Sequence, residues 1–317
     1  MLSHGALLII GAALAFSLMT VFVKAAGQRL PSQEVVLARA LVSLVLTWML
    51  LRARRMSPWG THRFLLFLRG LLGGLALACV FYSVTVLPLA DATVLQYLYP
   101  TFTALLAAVV LGERAGRGAL LASVVSLAGV LLVAKPSIIF GSASAPLEPL
   151  HVAIAVCGAV LTALAYIDVK RLAALEDPLV IVFWFPLITV PLTIPTLLDT
   201  FVWPQGMEWV WLLGVGVCTQ AGQVLFTRGL LYESATRATA LTYLQVVFAA
   251  LWGALFFGEV PDVLTGVGAM LVVSGAVWLA WQGRSASAPP SPDAEALPIE
   301  VIEEAEDLVT GSAASDG

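Results

Sequence analysis

Thr93, Gln96, Tyr97, Pro100, Thr101 and Ala104 follow the i, i+3, i+4, i+7 spacing that places side chains on one face of an α-helix, within a segment otherwise rich in Leu, Val and Ala. Thr239, Thr242, Tyr243 and Ala250 repeat the pattern in a later apolar segment. Hydroxyl and amide groups so arranged can hydrogen-bond a polar solute, but they supply no nucleophile with an adjacent base. Further neutral donors stand at Thr219, Gln220, Gln223 and Thr227, while the positions 146 residues earlier hold Gly73, Gly74, Leu77 and Phe81. One polar wall and one small or apolar wall suit a solute with a hydrogen-bonding end and a hydrophobic end. Ser17, Thr20 and Lys24 form a third group, and Thr162, Tyr166 and Lys170 a fourth. The same residue types also join helices to one another in lipid, so packing is the competing role for each stripe.

The charged residues are few. Arg39 lies several residues into one apolar segment and Arg69 early in the next; Glu34, a substrate carboxylate or lipid headgroups could balance them, and Arg69 is expected to anchor at the interface. Asp91, Glu113, Asp168 and Glu259 fall near segment ends, and His4, His62 and His151 are peripheral, so no proton relay is expected. Glu113, Glu259, Lys24 and Lys170 read as gating or span-end residues, the lysines being able to snorkel to water. Trp184 and Tyr99 could stack on a ligand, although such rings more often pack or face lipid. Cys79, Cys157 and Cys218 lack metal or disulfide spacing and read as packing residues. Absence of HExxH, GxSxG, Walker A and GxGxxG patterns points away from an enzyme or an ATP-driven pump, and no metal or cofactor is expected.

The elements that must position these residues follow from composition. Of 317 residues 60% are hydrophobic and 11% charged, with a mean hydropathy of +0.96, which fits lipid as the main solvent. Apolar segments over about 5–26, 33–51, 64–87, 91–111, 117–135, 150–171, 178–198, 208–231, 236–257 and 263–281 predict ten transmembrane helices in an all-α membrane protein. The first is expected to be an uncleaved span, because it lacks a basic leader. Eleven Lys and Arg fall in one set of alternate loops against three in the other, which puts both termini in the cytoplasm. Residues 285–317 carry eight acids and no Lys or Arg, leaving 16 bases against 12 acids in the rest. They read as a disordered acidic cytoplasmic tail. No basic stripe suggests nucleic-acid binding.

A shift of 146 residues superimposes the halves without a gap: between 92–113 and 238–259, eleven of 22 positions are identical, including Thr93/Thr239, Tyr97/Tyr243, Gly112/Gly258 and Glu113/Glu259. A first repeat over 1–137, a connecting loop over 138–149 and a second repeat over 150–284 follow. Five spans is an odd number, so the second copy is expected to insert inverted. Inverted five-helix repeats are a common basis of secondary transport through a midplane site.

Residues 79–135 resemble the EamA family of the drug/metabolite transporter superfamily, and the resemblance extends over roughly 5–281. Its most specific element runs from Ala90-Asp91-Ala92 through Pro100 to Leu111-Gly112-Glu113-Arg114, echoed from Thr236 to Gly258-Glu259, with Pro100 replaced by Val246 and Arg114 by Val260. The resemblance implies a ten-helix carrier with a cavity lined mainly by spans 1, 3, 4, 6, 8 and 9, moving amino acids or other small metabolites, often outward. The expected function is non-ATP export or exchange by alternating access in a bacterial cytoplasmic (inner) membrane; a lipid scramblase or scaffold is the alternative. Expected partners are a small-molecule substrate and the bilayer, and a homodimer is compatible with the sequence. Substrate contacts are expected from Gln96, Tyr97, Thr93, Tyr243, Thr239, Thr242, Gln220, Gln223, Tyr166, Ser17 and Thr20.

Overall fold

The computed structural model describes residues 3–282 except 88, 114–116, 141–147, 198–199 and 259–261. The connecting loop in part, the gating candidate Glu259 and the acidic tail therefore lie outside the described residues. The helices are α1 (His4–Ala26), α2 (Ser32–Ala53), α3 (Arg63–Val86), α4 (Leu89–Gln96), α5 (Tyr99–Val110), α6 (Arg117–Ala134), α7 (Ser137–Phe140), α8 (Pro149–Ala173), α9 (Pro178–Thr193), α10 (Glu208–Tyr232), α11 (Ala235–Leu241), α12 (Leu244–Phe257) and α13 (Val263–Gln282). Local chemistry sets several ends. Ser3 caps α1 by accepting from the Ala6 N–H, and Asp177 caps α9 by accepting from Leu179 just ahead of Pro178. Gly112 (φ 62°) and Gly258 (φ 67°), equivalent under the 146-residue shift, follow α5 and α12 in the left-handed conformation that stops a helix.

Among the described residues, eight stretches are long and apolar enough to cross a membrane, and α6 and α13 contribute two shorter apolar helices, Gly118–Ala134 and Val263–Trp278. The outer surface agrees with a lipid environment: Val109 and Val263 are 84% and 82% exposed, a position that water would penalise. The expected spans 91–111 and 236–257 each consist of two helices in series, α4–α5 and α11–α12, where the sequence suggested one continuous helix.

Packing follows the 146-residue shift, under which α1 corresponds to α8, α2 to α9, α3 to α10, α5 to α12 and α6 to α13. Helix α1 lies on α10 as α8 lies on α3, α2 meets α10 as α9 meets α3, and α12 meets α1 as α5 meets α8. The pairs α2–α9 and α6–α13 are their own counterparts. The correspondence reaches single residues. A Cβ on Gly70 would collide with Ile188, and one on the equivalent Gly216 with Val42, the equivalent of Ile188. Likewise a Cβ on Gly129 would lie 2.5 Å from the Gly268 carbonyl oxygen, and one on Gly275 would lie 3.0 Å from that of Ala122. Lipid tails are as apolar as the helices, so close approach at small residues is what holds such crossings together.

Candidate functional site

The breaks between α4 and α5 and between α11 and α12 sit at equivalent places. In the first, Pro100 offers no N–H, and the Thr101 N–H turns to Leu98 O (3.0 Å), three residues back instead of four. The Tyr97 carbonyl thereby loses its helical donor. The Tyr243 phenol supplies a replacement, donating to Tyr97 O at 3.0 Å. In the second break Val246 stands where the first has proline, yet the backbone still tightens, with Gln245 N–H to Thr242 O at 2.9 Å and Val246 N–H to Tyr243 O at 3.0 Å. The Thr242 hydroxyl donates to Thr239 O at 2.5 Å and competes with the ladder there.

Around the breaks lies an aromatic cluster. The rings of Tyr97 and Tyr243, equivalent residues, stack at 5.9 Å and 30°. Tyr99 meets Tyr166 edge-on at 5.4 Å and shares a hydrogen bond with the Thr242 hydroxyl, and Tyr166 lies 4.6 Å from Phe226. Gln96 Nε2 donates to Thr162 Oγ1 at 3.4 Å, while Gln96 Oε1 is buried without a partner. The structure thus brings Gln96, Tyr97, Tyr166, Thr242 and Tyr243 together from the end of α4, the first break, α8 and the second break.

The other expected contacts are placed differently. Thr239 is fully buried and bonds Ala235 O on its own helix at 2.9 Å. Thr93, half-buried, sits one turn before Tyr97, whose N–H bonds its carbonyl. Ser17 donates to Leu14 O at 2.7 Å and accepts from the Trp252 indole at 3.0 Å, joining α1 to α12, and Thr20 donates to Ser17 O. Gln220 accepts from Ser43 of α2, with its Nε2 unpartnered. Gln223 accepts from Arg69 Nη2 over a long 3.5 Å. Trp184 donates to Pro58 O at 3.1 Å and packs edge-on against Trp59, a helix anchor and not a free stacking surface.

Two expectations about charge need correction. Arg69 is 3% exposed, which removes it from an interfacial anchoring role. It folds onto the Phe185 ring at 4.7 Å, in space left by Gly73, one turn along α3, where any Cβ would strike it. Asp168, read from the sequence as a span-end acid, is 5% exposed with Oδ2 unpartnered. The last turns of α8 are covered by their neighbours, so proximity to a helix end does not bring it to water. Arg39 stands over the same Phe185 ring at 5.8 Å. Its sequence-suggested partner Glu34 instead accepts the Val202 N–H at 3.0 Å. Helices α2 and α9, absent from the expected lining set, thus carry Arg39, Ser43 and Phe185. Arg39 and Phe185 are 146 residues apart, so the repeat already marked them as equivalent.

At the helix ends, Glu113 accepts the Ala235 N–H at 3.1 Å and so ties α5 to the start of α11. Lys24 lies over the Phe257 ring at 4.2 Å. Lys170 donates to Leu230 O at 2.6 Å and Glu233 O at 2.9 Å, satisfying carbonyls at the end of α10. Lys170→Met should lower stability by about 1.5–3 kcal/mol, the worth of charged hydrogen bonds at a partly buried site. The melting midpoint of detergent-purified protein measures it; an unchanged midpoint would show those carbonyls satisfied in another way.

The model for the EamA-like transporter family matches residues 3–135 and again 150–281. The chain is 35% identical over 280 residues to the pseudopaline exporter of Pseudomonas aeruginosa, covering 88% of this chain and 96% of that one. It is 28% identical over 270 residues to mouse (Mus musculus) solute carrier family 35 member G1, covering 81% of this chain and 73% of the other. A crystal structure with 19% sequence identity superposes with a TM-score of 0.76 over 91% of this chain and 100% of that chain, which supports the fold.

Proposed function

From the premise that the chain belongs to the EamA-like transporter family, and is an integral transporter of the inner membrane, we propose that it exports or exchanges a small, partly polar organic metabolite by alternating access. The observation that carries this reading is the pair of broken helices meeting through Tyr97 and Tyr243. Discontinuous helices at the meeting of two repeats are where secondary carriers commonly bind solute, because freed backbone groups become available there. In this reading residues 1–137 and 150–284 are inverted five-helix repeats, ten spans cross the bilayer and both termini face the cytoplasm. Gln96, Tyr97, Tyr166, Thr242 and Tyr243 contact the solute, and Glu113 and Lys170 hold the ends of moving segments. The outward direction is supported by the relative that is an exporter.

Counterflow of radiolabelled amino acids in proteoliposomes tests the proposal. Wild-type protein should exchange at least one of them, and Gln96→Ala should slow that exchange roughly 3- to 10-fold, the loss of one or two net hydrogen bonds. Lipid flipping without any solute counterflow would instead make the protein a scramblase, and an unaltered Gln96→Ala rate would remove that side chain from the site.

A further inference from the structure

Arg39 from α2 and Arg69 from α3 approach one ring, Phe185 of α9, from 5.8 and 4.7 Å. Neither forms an ion pair with a carboxylate among the described residues. Asp168 of α8 lies within electrostatic reach of Arg69 but outside ion-pair distance, so at most one of the two cations is balanced. Arg69 is 3% exposed, its Nε has no hydrogen-bond partner, and the Gln223 amide oxygen is its one distant acceptor, at 3.5 Å. A cation in the bilayer interior costs several kcal/mol, and cation–π contact returns only part of that. A buried charge left in this condition is the mark of a group that awaits a ligand.

The surroundings are shaped for one. Gly73 makes room for the Arg69 head, since a Cβ at that position would collide with the guanidinium and lie 2.8 Å from Phe185. Tyr166, on the same helix as Asp168, is within electrostatic reach of both arginines and meets Tyr99 of the tyrosine cluster at the broken helices. Gln220, whose amide oxygen accepts from Ser43 of α2, keeps a buried amide nitrogen without a partner. Arg69 Nε and Gln220 Nε2 are thus buried donors without acceptors, set against the single unpartnered acceptor Asp168 Oδ2.

We propose that Arg39 and Arg69 form an anion subsite that takes a carboxylate of the transported solute, which makes the substrate class organic acids that also carry a polar or aromatic portion for the tyrosine cluster. The inference rests on the carrier reading above and adds the sign of the solute's charge. Guanidinium suits the task, because its fork of N–H donors matches a carboxylate in a way a lysine amine cannot. One net positive charge predicts one carboxylate at this point.

Thermal stabilisation of purified protein in nanodiscs tests it, with glutarate as the probe and the isosteric neutral glutaramide as its control. Glutarate should raise the melting midpoint in a saturable way and glutaramide should not. Arg69→Gln and Arg39→Gln should each weaken the half-saturating glutarate concentration about ten-fold or more, and Arg69→Lys should recover little. A second readout needs no solute: Arg39→Met should melt no lower than wild type without glutarate, because it removes the cation that has no carboxylate within electrostatic reach, whereas a purely structural arginine would lower the midpoint when lost. Equal shifts from the two probes, no shift from glutarate, or destabilisation by Arg39→Met would overturn the proposal. Discs of phosphatidylcholine and of phosphatidylglycerol separate the sources of anion. A midpoint that tracks phosphatidylglycerol and ignores glutarate would assign the arginines to a lipid headgroup and overturn the solute subsite. Counterflow of neutral solutes with no carboxylate response would overturn this inference and leave the carrier reading standing; a glutarate shift with no counterflow of any solute would overturn the carrier reading and leave the arginines as an anion site without a transported solute.

Discussion

Gly129→Leu should cost about 3 kcal/mol or more and leave little monodisperse protein after detergent extraction. A Cβ at 129 would lie 2.5 Å from the Gly268 carbonyl oxygen and 2.8 Å from Val272 Cγ2. Overpacking at flexible side chains costs 1–3 kcal/mol, but here the atom met is backbone, and the remedy is separation of α6 from α13 along their crossing. Gly268→Leu should act alike, since its Cβ would stand 2.6 Å from the Gly129 carbonyl oxygen. Gly266, on the same helix as Gly268, has open space where a Cβ would go, and Gly266→Leu should be tolerated because it gains helix propensity. Size-exclusion profiles and melting midpoints of the three variants measure the difference. Equal behaviour of positions 129 and 266 would mean that α6 and α13 do not cross at these glycines.

Tyr243→Phe should reduce transport at least ten-fold while the protein remains folded. The ring stays and its stacking on Tyr97 is kept, but the O–H that satisfies the Tyr97 carbonyl goes. An unpaired buried carbonyl costs about 1–3 kcal/mol, and here the cost falls on the geometry of the break itself. Initial counterflow rates against an exposed control, Tyr232→Phe (Tyr232 is 63% exposed), measure it. Wild-type rates in Tyr243→Phe would show that the bond between the two breaks is dispensable.

Membrane class and family were legible because they depend on long averages: apolar composition, segment length and a repeat pattern that survives many substitutions. The Leu111-Gly112-Glu113 pattern was legible only as a family resemblance; its physical role, a left-handed helix stop at Gly112, emerges from the backbone, which few residues other than glycine accept there. What the sequence hid is tertiary. Pro100 could have signalled a break in the fourth span, but nothing of the kind marks Val246, and the second break depends on Thr242 bonding its own backbone. The helix contacts that Ser17 and Thr239 make could not be foreseen, because helix periodicity names a face without naming what covers it. Arg69 and Asp168 were misplaced because distance along a helix measures depth only when the neighbouring helices end at the same level.

Arg39 and Phe185 occupy matching positions in the two copies and touch, so unlike residues meet where an exact duplicate would place two of a kind. A carrier of identical halves would have two isoenergetic empty states, each the mirror of the other in function. In the proposed alternating-access cycle this pairing is one of the differences that lift that degeneracy, so one rest state is favoured and the half-saturation constants on the two faces differ. The direction of transport is then biased kinetically by unlike residues at matched positions, while the concentration gradient still decides the net flow.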